Sequence, residues 1–258
     1  MDSQHKGREI KMLDPRINAI NNRLSGINRI IAVASGKGGV GKSIIASTMA
    51  LLSAKSGLKS GLLDIDFTSP TTHIVLNARG LQPVEDRGIV PPEVNGVRYM
   101  SLVFYLGDKP SPLRGHELSD TLLEVLAYTV WGRLGLLVID MPPGISDLTL
   151  DLLKYVRGAE YLIVTTPSKM SFETIRKLIL LLRELRAPIL GVVENMKMGG
   201  ADYIRREVEV LGERYLGEIH YDEGLEDTLG RVEELLRTRF AAEVGEILRK
   251  IINVKPQY

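Results

Sequence analysis

Cysteine is absent from all 258 residues. Its absence excludes disulfides, zinc sites built on thiolates, cysteine nucleophiles and iron–sulfur clusters held by this chain's own thiolates. Histidine is scarce: His5, His73, His116 and His220 show no metal-ligand spacing and read as surface or loop residues. No apolar run reaches the ~18 residues of a membrane-spanning helix. The opening MDSQHKGREIKMLDPRIN has no apolar centre of the signal-peptide kind, so residues 1–28 read as a mobile polar leader on a cytoplasmic protein. A net charge of +1 provides no dominant surface for a polyanion, although a local basic patch is compatible with it.

What is present is concentrated in residues 35–43, SGKGGVGKS, which match G-x-x-x-x-G-K-[ST] with an extra lysine after the first glycine. A triphosphate needs many converging N–H donors. Gly36, Gly38, Gly39 and Gly41, with Lys37 and Val40 between them, let the main chain curl around it without Cβ obstruction. Lys42 reaches the β- and γ-phosphates, Ser43 offers a hydroxyl to Mg²⁺, and the helix that follows points its positive end at the anion. RIIAVAS (29–35) suits a buried strand and SIIASTMALLSAK (43–55) a helix, so strand, glycine loop and helix come in the required order.

The remaining chain alternates strands and helices. KSGLLDID (59–66), GVRYMSLVF (96–104), LLVID (136–140), EYLIVTTP (160–167), PILGVVEN (188–195) and YLGEI (215–219) read as strands, with a turn at Asn95-Gly96. DTLLEVLAYTVWGRL, DLTLDLLKYVRG, SFETIRKLILLLRELRA and DYIRREVEVLGER read as helices, and a long helix closes the chain. Continuous apolar strands between amphipathic helices predict an α/β fold, a doubly wound, mostly parallel sheet covered on both faces. At 44% hydrophobic and 25% charged, residues 29–258 can bury one core as a single P-loop domain. Ligands of such sheets bind at the carboxyl ends of the strands, where the glycine loop sits.

Three acids close strands there. Asp140 ends LLVID, where a carboxylate can hold water of the Mg²⁺ shell. After Pro142 and Pro143, which lack N–H groups, Gly144 supplies the first amide beyond Met141 for a γ-phosphate, as a switch loop would. Asp64 and Asp66 lie two apart, so strand alternation directs both to one side. One would orient the attacking water and the other support the metal's outer shell; spacing does not say which.

SGKGGVGKS, LLDIDFTSP, LLVIDMPPGISD and LGVVENM, in this order and spacing, resemble the Mrp/ApbC family of ATPases within the MinD/ParA group of deviant Walker A proteins. The resemblance covers about residues 29–230, and PLRGHEL (112–118) and Trp131-Gly132 are similar to features of the Mrp branch. It implies a Mg²⁺-dependent ATP-hydrolysing switch that binds ATP and ADP and forms a homodimer with nucleotide at the interface. Lys37 resembles the signature lysine that reaches the partner's nucleotide in trans. Asp66 matches the aspartate that positions the attacking water, Asp64 its metal-shell companion, Asp147 a switch acid, and Asn195 the asparagine that contacts adenine.

Departures from the family are equally informative. Members commonly follow ENM with a C-P-x-C pair that helps bind a bridging iron–sulfur cluster; here Met196-Lys197-Met198-Gly199-Gly200 follows. No cluster is expected on this chain alone, and a role in iron–sulfur assembly requires a cysteine-bearing partner. Ile44 stands where threonine is common, Ser69 where glycine is, and His220-Tyr221 where a Pro-Leu pair lies near the adenine pocket. The alternative is a MinD/ParA-like positioning ATPase. A membrane anchor would use EVGEILRKIINVKPQY with Arg249, Lys250 and Lys255, but its glutamates weaken attraction to anionic lipid. A DNA face would use Arg176, Lys177, Arg183, Arg186, Arg205 and Arg206, each set among acids.

Overall fold

The structure, a computed structural model, describes residues 14–106, 113–200 and 202–252. A helix, α1 (Pro15–Leu24), leads to β1 (Ile30–Ser35), α2 (Lys42–Lys55), β2 (Ser60–Asp64) and the short α3 (Thr72–Leu76). A small hairpin, β3 (Val84–Glu85) and β4 (Ile89–Val90), precedes β5 (Glu93–Val94), β6 (Val97–Ser101) and α4 (Val103–Leu106). Then come α5 (His116–Tyr128), β7 (Leu136–Asp140), α6 (Asp147–Tyr155), β8 (Ala159–Thr165) and α7 (Lys169–Glu184). The chain continues through β9 (Ile189–Lys197), α8 (Tyr203–Val210), β10 (Tyr215–His220), α9 (Val232–Leu235) and α10 (Arg239–Ile252).

Eight strands form one sheet in the order β10-β9-β8-β1-β7-β2-β6-β5, parallel except for the β5–β6 pair. Every residue of β1, β2, β7 and β8 is buried, as runs such as IIAVAS and LLVID require when helices cover both faces. The sequence reverses direction about β1, which pairs with β7 on one side and β8 on the other. This is the switch point at which doubly wound sheets open a crevice. Helix α2 packs against β7, β2 and α10. Its burial extends to Ser47, Thr48 and Ser53, so it is wrapped by protein over most of its surface. Arg29 joins three elements, pairing with Glu160 at the start of β8 and donating to the Ile251 carbonyl of α10 at 2.6 Å.

Asn95 and Gly96 both have positive φ, 51° and 80°, the hairpin turn their sequence predicts between β5 and β6. Other boundaries differ from expectation. The strand expected to reach Asp66 stops at Asp64, because the Asp66 amide turns back onto the Asp64 carboxylate. That expected over 96–104 ends at Ser101, where Val103–Leu106 coils into α4. The helix expected through residue 134 ends at Tyr128; Trp131 is then fully buried and Gly132 turns with φ 63°.

The expected mobile leader over residues 1–28 needs correction from Asp14 onward; residues 1–13 lie outside the described residues. The Asp14 carboxylate caps α1 by accepting from the Arg16 amide at 2.9 Å, and Pro15 fits the first helical position. α1 packs on α5, where Ile20 is fully buried, Arg16 reaches Asp120 at 3.2 Å and Arg23 donates to the Arg87 carbonyl at 2.6 Å. The polar composition of this stretch hid a single apolar stripe.

The apolar side of α10, including Phe240, Val244, Ile247 and Ile251, is buried against the chain's own fold. The face a membrane anchor would need is thus occupied, and Lys255 lies outside the described residues. Among the described residues no helix is long and apolar enough to cross a membrane. Ile20→Ala is expected to lower stability by about 2–4 kcal/mol in denaturant unfolding, as for other buried aliphatic truncations. An unchanged midpoint would mean that α1 does not pack on α5 in solution.

Candidate functional site

The site grows from the end of β1. A Cβ on Gly36 would lie 2.3 Å from the Thr174 hydroxyl of α7, so glycine is required there by packing. Gly41 has φ 80°, and a Cβ there would meet Asn195 Nδ2 at 2.2 Å. Gly39 is also left-handed, with φ 74°, whereas Gly38 faces open space. No side chain caps α2, which leaves its first-turn amides open toward an anion. Val40 is buried, and its carbonyl accepts from Asn195 Nδ2 at 2.8 Å, pinning the loop to β9.

Lys42 Nζ donates to Asp140 Oδ1 at 2.6 Å and to the Ser43 hydroxyl at 3.3 Å. Lys42 is 6% exposed and Asp140 fully buried. Asp140 Oδ2 is buried with no hydrogen-bond partner, an orphaned acceptor directly beside the Ser43 and Lys42 cluster. Burial pushes the Asp140 carboxyl above its ordinary value, against the pull of Lys42.

Asp64 lies beside Asp140 in the parallel register of β2 and β7. Its two oxygens accept from the Asp66 amide at 3.0 Å and the Thr72 hydroxyl at 2.5 Å; Thr72 also meets the Tyr99 hydroxyl at 2.9 Å. Burial, and then the neighbouring Asp140 charge, push the Asp64 carboxyl up to about 7. Asp66 instead accepts from the Thr68 hydroxyl at 3.0 Å and the Ser69 amide at 3.2 Å, and lines the main cavity. The strand ends before Asp66: Asp66 lines the cavity, while Asp64, in register with Asp140, braces the turn that carries it.

The cavity has a volume of about 680 Å³ and runs from the glycine loop to the end of β10. Lys37 is exposed along it, with no acid within ion-pair distance among the described residues; Asn195 also lines it. The Gly144 amide, expected to await a γ-phosphate, donates to the Ser35 carbonyl at 2.8 Å. Asp147 opens α6 behind the Ser146 cap, outside the cavity lining. Thr68, Thr72 and Thr174 escaped sequence reasoning, since hydroxyls in loops and helices carry no pattern of their own. Ile44 lines the cavity where a hydroxyl was expected to be missing.

Beyond Asn195, β9 continues through Met196, with φ 60°, to Lys197. Lys197 Nζ meets Glu194 at 2.9 Å and Glu218 at 3.5 Å, and the Tyr215 hydroxyl donates to Glu194 at 2.8 Å. Burial raises the Tyr215 hydroxyl further, beyond the ordinary phenol range. Of the six basic residues offered for DNA, Arg176 pairs with Glu173, Arg183 with Glu213 and Arg205 with Glu209, whereas Lys177, Arg186 and Arg206 form no ion pair among the described residues.

Few architectures put a glycine loop, an uncapped helix start and a buried lysine–aspartate pair at the switch point of a parallel sheet, and those that do are P-loop NTPases. The match of residues 26–253 to the ParA family model described as NUBPL iron-transfer P-loop NTPase goes further, and the chain belongs to that family. An iron-sulfur cluster carrier protein of Pseudomonas fragi is 42% identical over 177 residues, 67% of this chain and 62% of that protein. One from Aquifex aeolicus is 32% identical over 91% of this chain and 69% of its own length. The chain thus spans under two thirds of the Pseudomonas relative. A nucleotide-binding protein of Archaeoglobus fulgidus in complex with ADP superposes with TM-score 0.73 at 30% identity, covering 84% of this chain and 93% of that one. The septum site-determining protein MinD of Pyrococcus horikoshii, complexed with Mg-ADP, shares the fold at TM-score 0.65 and 17% identity, over 87% and 96% of the two chains.

A carboxyl raised in the folded state binds its proton more tightly there than in the unfolded chain. Asp64 therefore contributes stability below its ordinary value of 3.8 that is lost as pH rises toward about 7, and is level above. Asp64→Asn is expected to remove this slope, so the variant gains on the parent by a few kcal/mol between about pH 4 and pH 8. Denaturant unfolding at both pH values checks it; a constant difference between the two proteins would mean that Asp64 titrates normally.

Proposed function

We propose that this chain is a Mg²⁺-dependent ATPase switch that dimerises around its nucleotide and serves iron–sulfur assembly without holding a cluster. The observation that carries the nucleotide reading is Lys42, held at the mouth of an uncapped helix by Asp140 beside an open 680 Å³ cavity. The donor set suits magnesium: the Ser43 hydroxyl and the orphaned Asp140 Oδ2 are hard oxygens, the ligands and water-holders that ion prefers. Bound magnesium would neutralise charge on the β- and γ-phosphate oxygens.

The residues then divide the work. The loop amides from Gly36 to Ser43 bind the phosphates, and Lys42 exchanges Asp140 for the β/γ oxygens. Asp66, steadied by Thr68 and Ser69, accepts a hydrogen bond from the attacking water and aligns it in line with the leaving oxygen. Lys37, exposed and unpaired among the described residues, is free to reach a second subunit's nucleotide. Asn195 joins the adenine end of the cavity to the loop through Val40. The Gly144 amide leaves Ser35 for the γ-phosphate and returns after hydrolysis, which makes its loop the switch. Asp64 acts from behind, holding the Asp66 turn and sharing the metal's outer surroundings with Asp140.

An iron–sulfur cluster does not fit the residues present. Where the resembled family places a cysteine pair, this chain has Lys197, which ends β9 in an ion pair with Glu194, followed by Met198, Gly199 and Gly200, none of which supplies a thiolate. Cluster chemistry must then come from a cysteine-bearing partner.

Two experiments test the proposal. Lys37→Ala and Asp66→Ala are each expected to bind nucleotide yet lose ATP hydrolysis, by roughly 10²-fold or more. Mixed, they form dimers with one site holding both groups, and activity returns. Subunit exchange demonstrated by labelling without recovered activity would remove the shared-site reading. Separately, reconstitution with iron and sulfide followed by desalting is expected to leave no visible cluster absorbance. A stoichiometric cluster on this chain alone would overturn the cluster-free assignment.

A further inference from the structure

Residues 65–71 leave the sheet at the end of β2 and form one side of the main cavity, which Asp66, Thr68, Ser69 and Thr71 all line. They form neither helix nor strand. The two ends of the segment are held by one side chain, since Asp64 Oδ1 accepts from the Asp66 amide at 3.0 Å and Asp64 Oδ2 from the Thr72 hydroxyl at 2.5 Å. Asp64 thus closes the loop that carries Asp66.

Thr72 is itself held from behind. A threonine hydroxyl has a single proton, and Thr72 gives it to Asp64, so at the 2.9 Å contact with the Tyr99 hydroxyl the tyrosine donates. Tyr99 belongs to β6, where it lies in register with Leu62 of β2, and its ring meets Phe104 edge-on at 5.3 Å. Asp64, Thr72 and Tyr99 are each 1% exposed or less. At that burial, removing the Thr72 hydroxyl leaves Asp64 Oδ2 without its donor rather than returned to water. Hydrogen bonds therefore run without a break from Tyr99 through Thr72 and Asp64 to the Asp66 amide, joining the middle of β6 to the cavity wall. A slight displacement of Asp66 bears on turnover more than on binding, because the glycine loop and Lys42 hold the phosphates while Asp66 acts on the attacking water.

We propose that Thr72 is a positioning residue for hydrolysis, acting through Asp64 on Asp66, with Tyr99 fixing it to the sheet. The proposal rests on the water-aligning role of Asp66 given above and specifies what holds that residue in place. Steady-state ATP hydrolysis and ADP calorimetry, both with Mg²⁺, test it. Thr72→Val, which keeps the shape and removes the hydroxyl, is expected to lower kcat about tenfold or more while KM and ADP affinity stay within about twofold of wild type. Thr72→Ser, which restores the donor, is expected to recover kcat to within about threefold of wild type. Adding Thr72→Val to Asp66→Ala is expected to lower kcat no further, because the residue through which Thr72 acts is already gone. Wild-type kcat in Thr72→Val, a loss of ADP affinity as large as the loss in kcat, a Thr72→Ser variant as slow as Thr72→Val, or a full extra loss in the double variant would each overturn the positioning role while the reading of Asp66 stands. If wild-type protein does not hydrolyse ATP, or Asp66→Ala does so at the wild-type rate, the reading of Asp66 fails and the positioning role with it. Tyr99→Phe decides the question if Thr72→Val does not fold: a lowered kcat with unchanged ADP affinity is expected, and wild-type kcat overturns the proposal.

Discussion

The buried pair between Lys42 and Asp140 joins the start of α2 to the end of β7, across the strand that carries the glycine loop. Taking both charges out of water is costly, and a well-packed apolar pair would often serve stability as well or better. Removing either partner alone would strand a buried charge, at a cost of about 3–5 kcal/mol. Such a pair is best understood as a holding position. It keeps Lys42 aimed at the cavity, and it leaves Asp140 with one oxygen still unsatisfied.

Around that pair the site is built from contacts that reach across the sheet. Gly36 is pressed against Thr174 of α7, Gly41 against Asn195 of β9, and the Gly144 amide is bonded to Ser35 at the end of β1. A movement of the glycine loop is therefore felt by β9, α7 and the segment after β7 together. The Asp66 turn belongs to the same assembly through Asp64, whose neighbour in register is Asp140.

The end of β9 carries Met196-Lys197-Met198-Gly199-Gly200, and only its first two residues belong to the strand. Lys197, 4% exposed, closes the strand and is held by Glu194 and Glu218, whereas Met198, Gly199 and Gly200 beyond it are exposed. His220 and Tyr221 differ from this stretch in that both line the cavity and His220 is tied to α10.

The amino-acid sequence by itself determined the parallel sheet and the nucleotide loop, because both leave local signatures: continuous β-branched runs flanked by amphipathic helices, and glycines at fixed spacing before a lysine. It also marked Asp140 and Asp64 as strand-end acids and excluded thiolate chemistry by composition alone. Tertiary structure decided which partner each group takes. Two acids two residues apart take different partners: Asp64 bonds Thr72 and Asp66 lines the cavity, the strand ending at Asp64. The polar residues 15–24 became a packed helix through the burial of Ile20, which no composition average registers. The end of the cavity at Tyr221 exists only because β10 lies three strands from β1, and strand order in a doubly wound sheet is fixed by long-range packing and crossover connections rather than by any local run of residues.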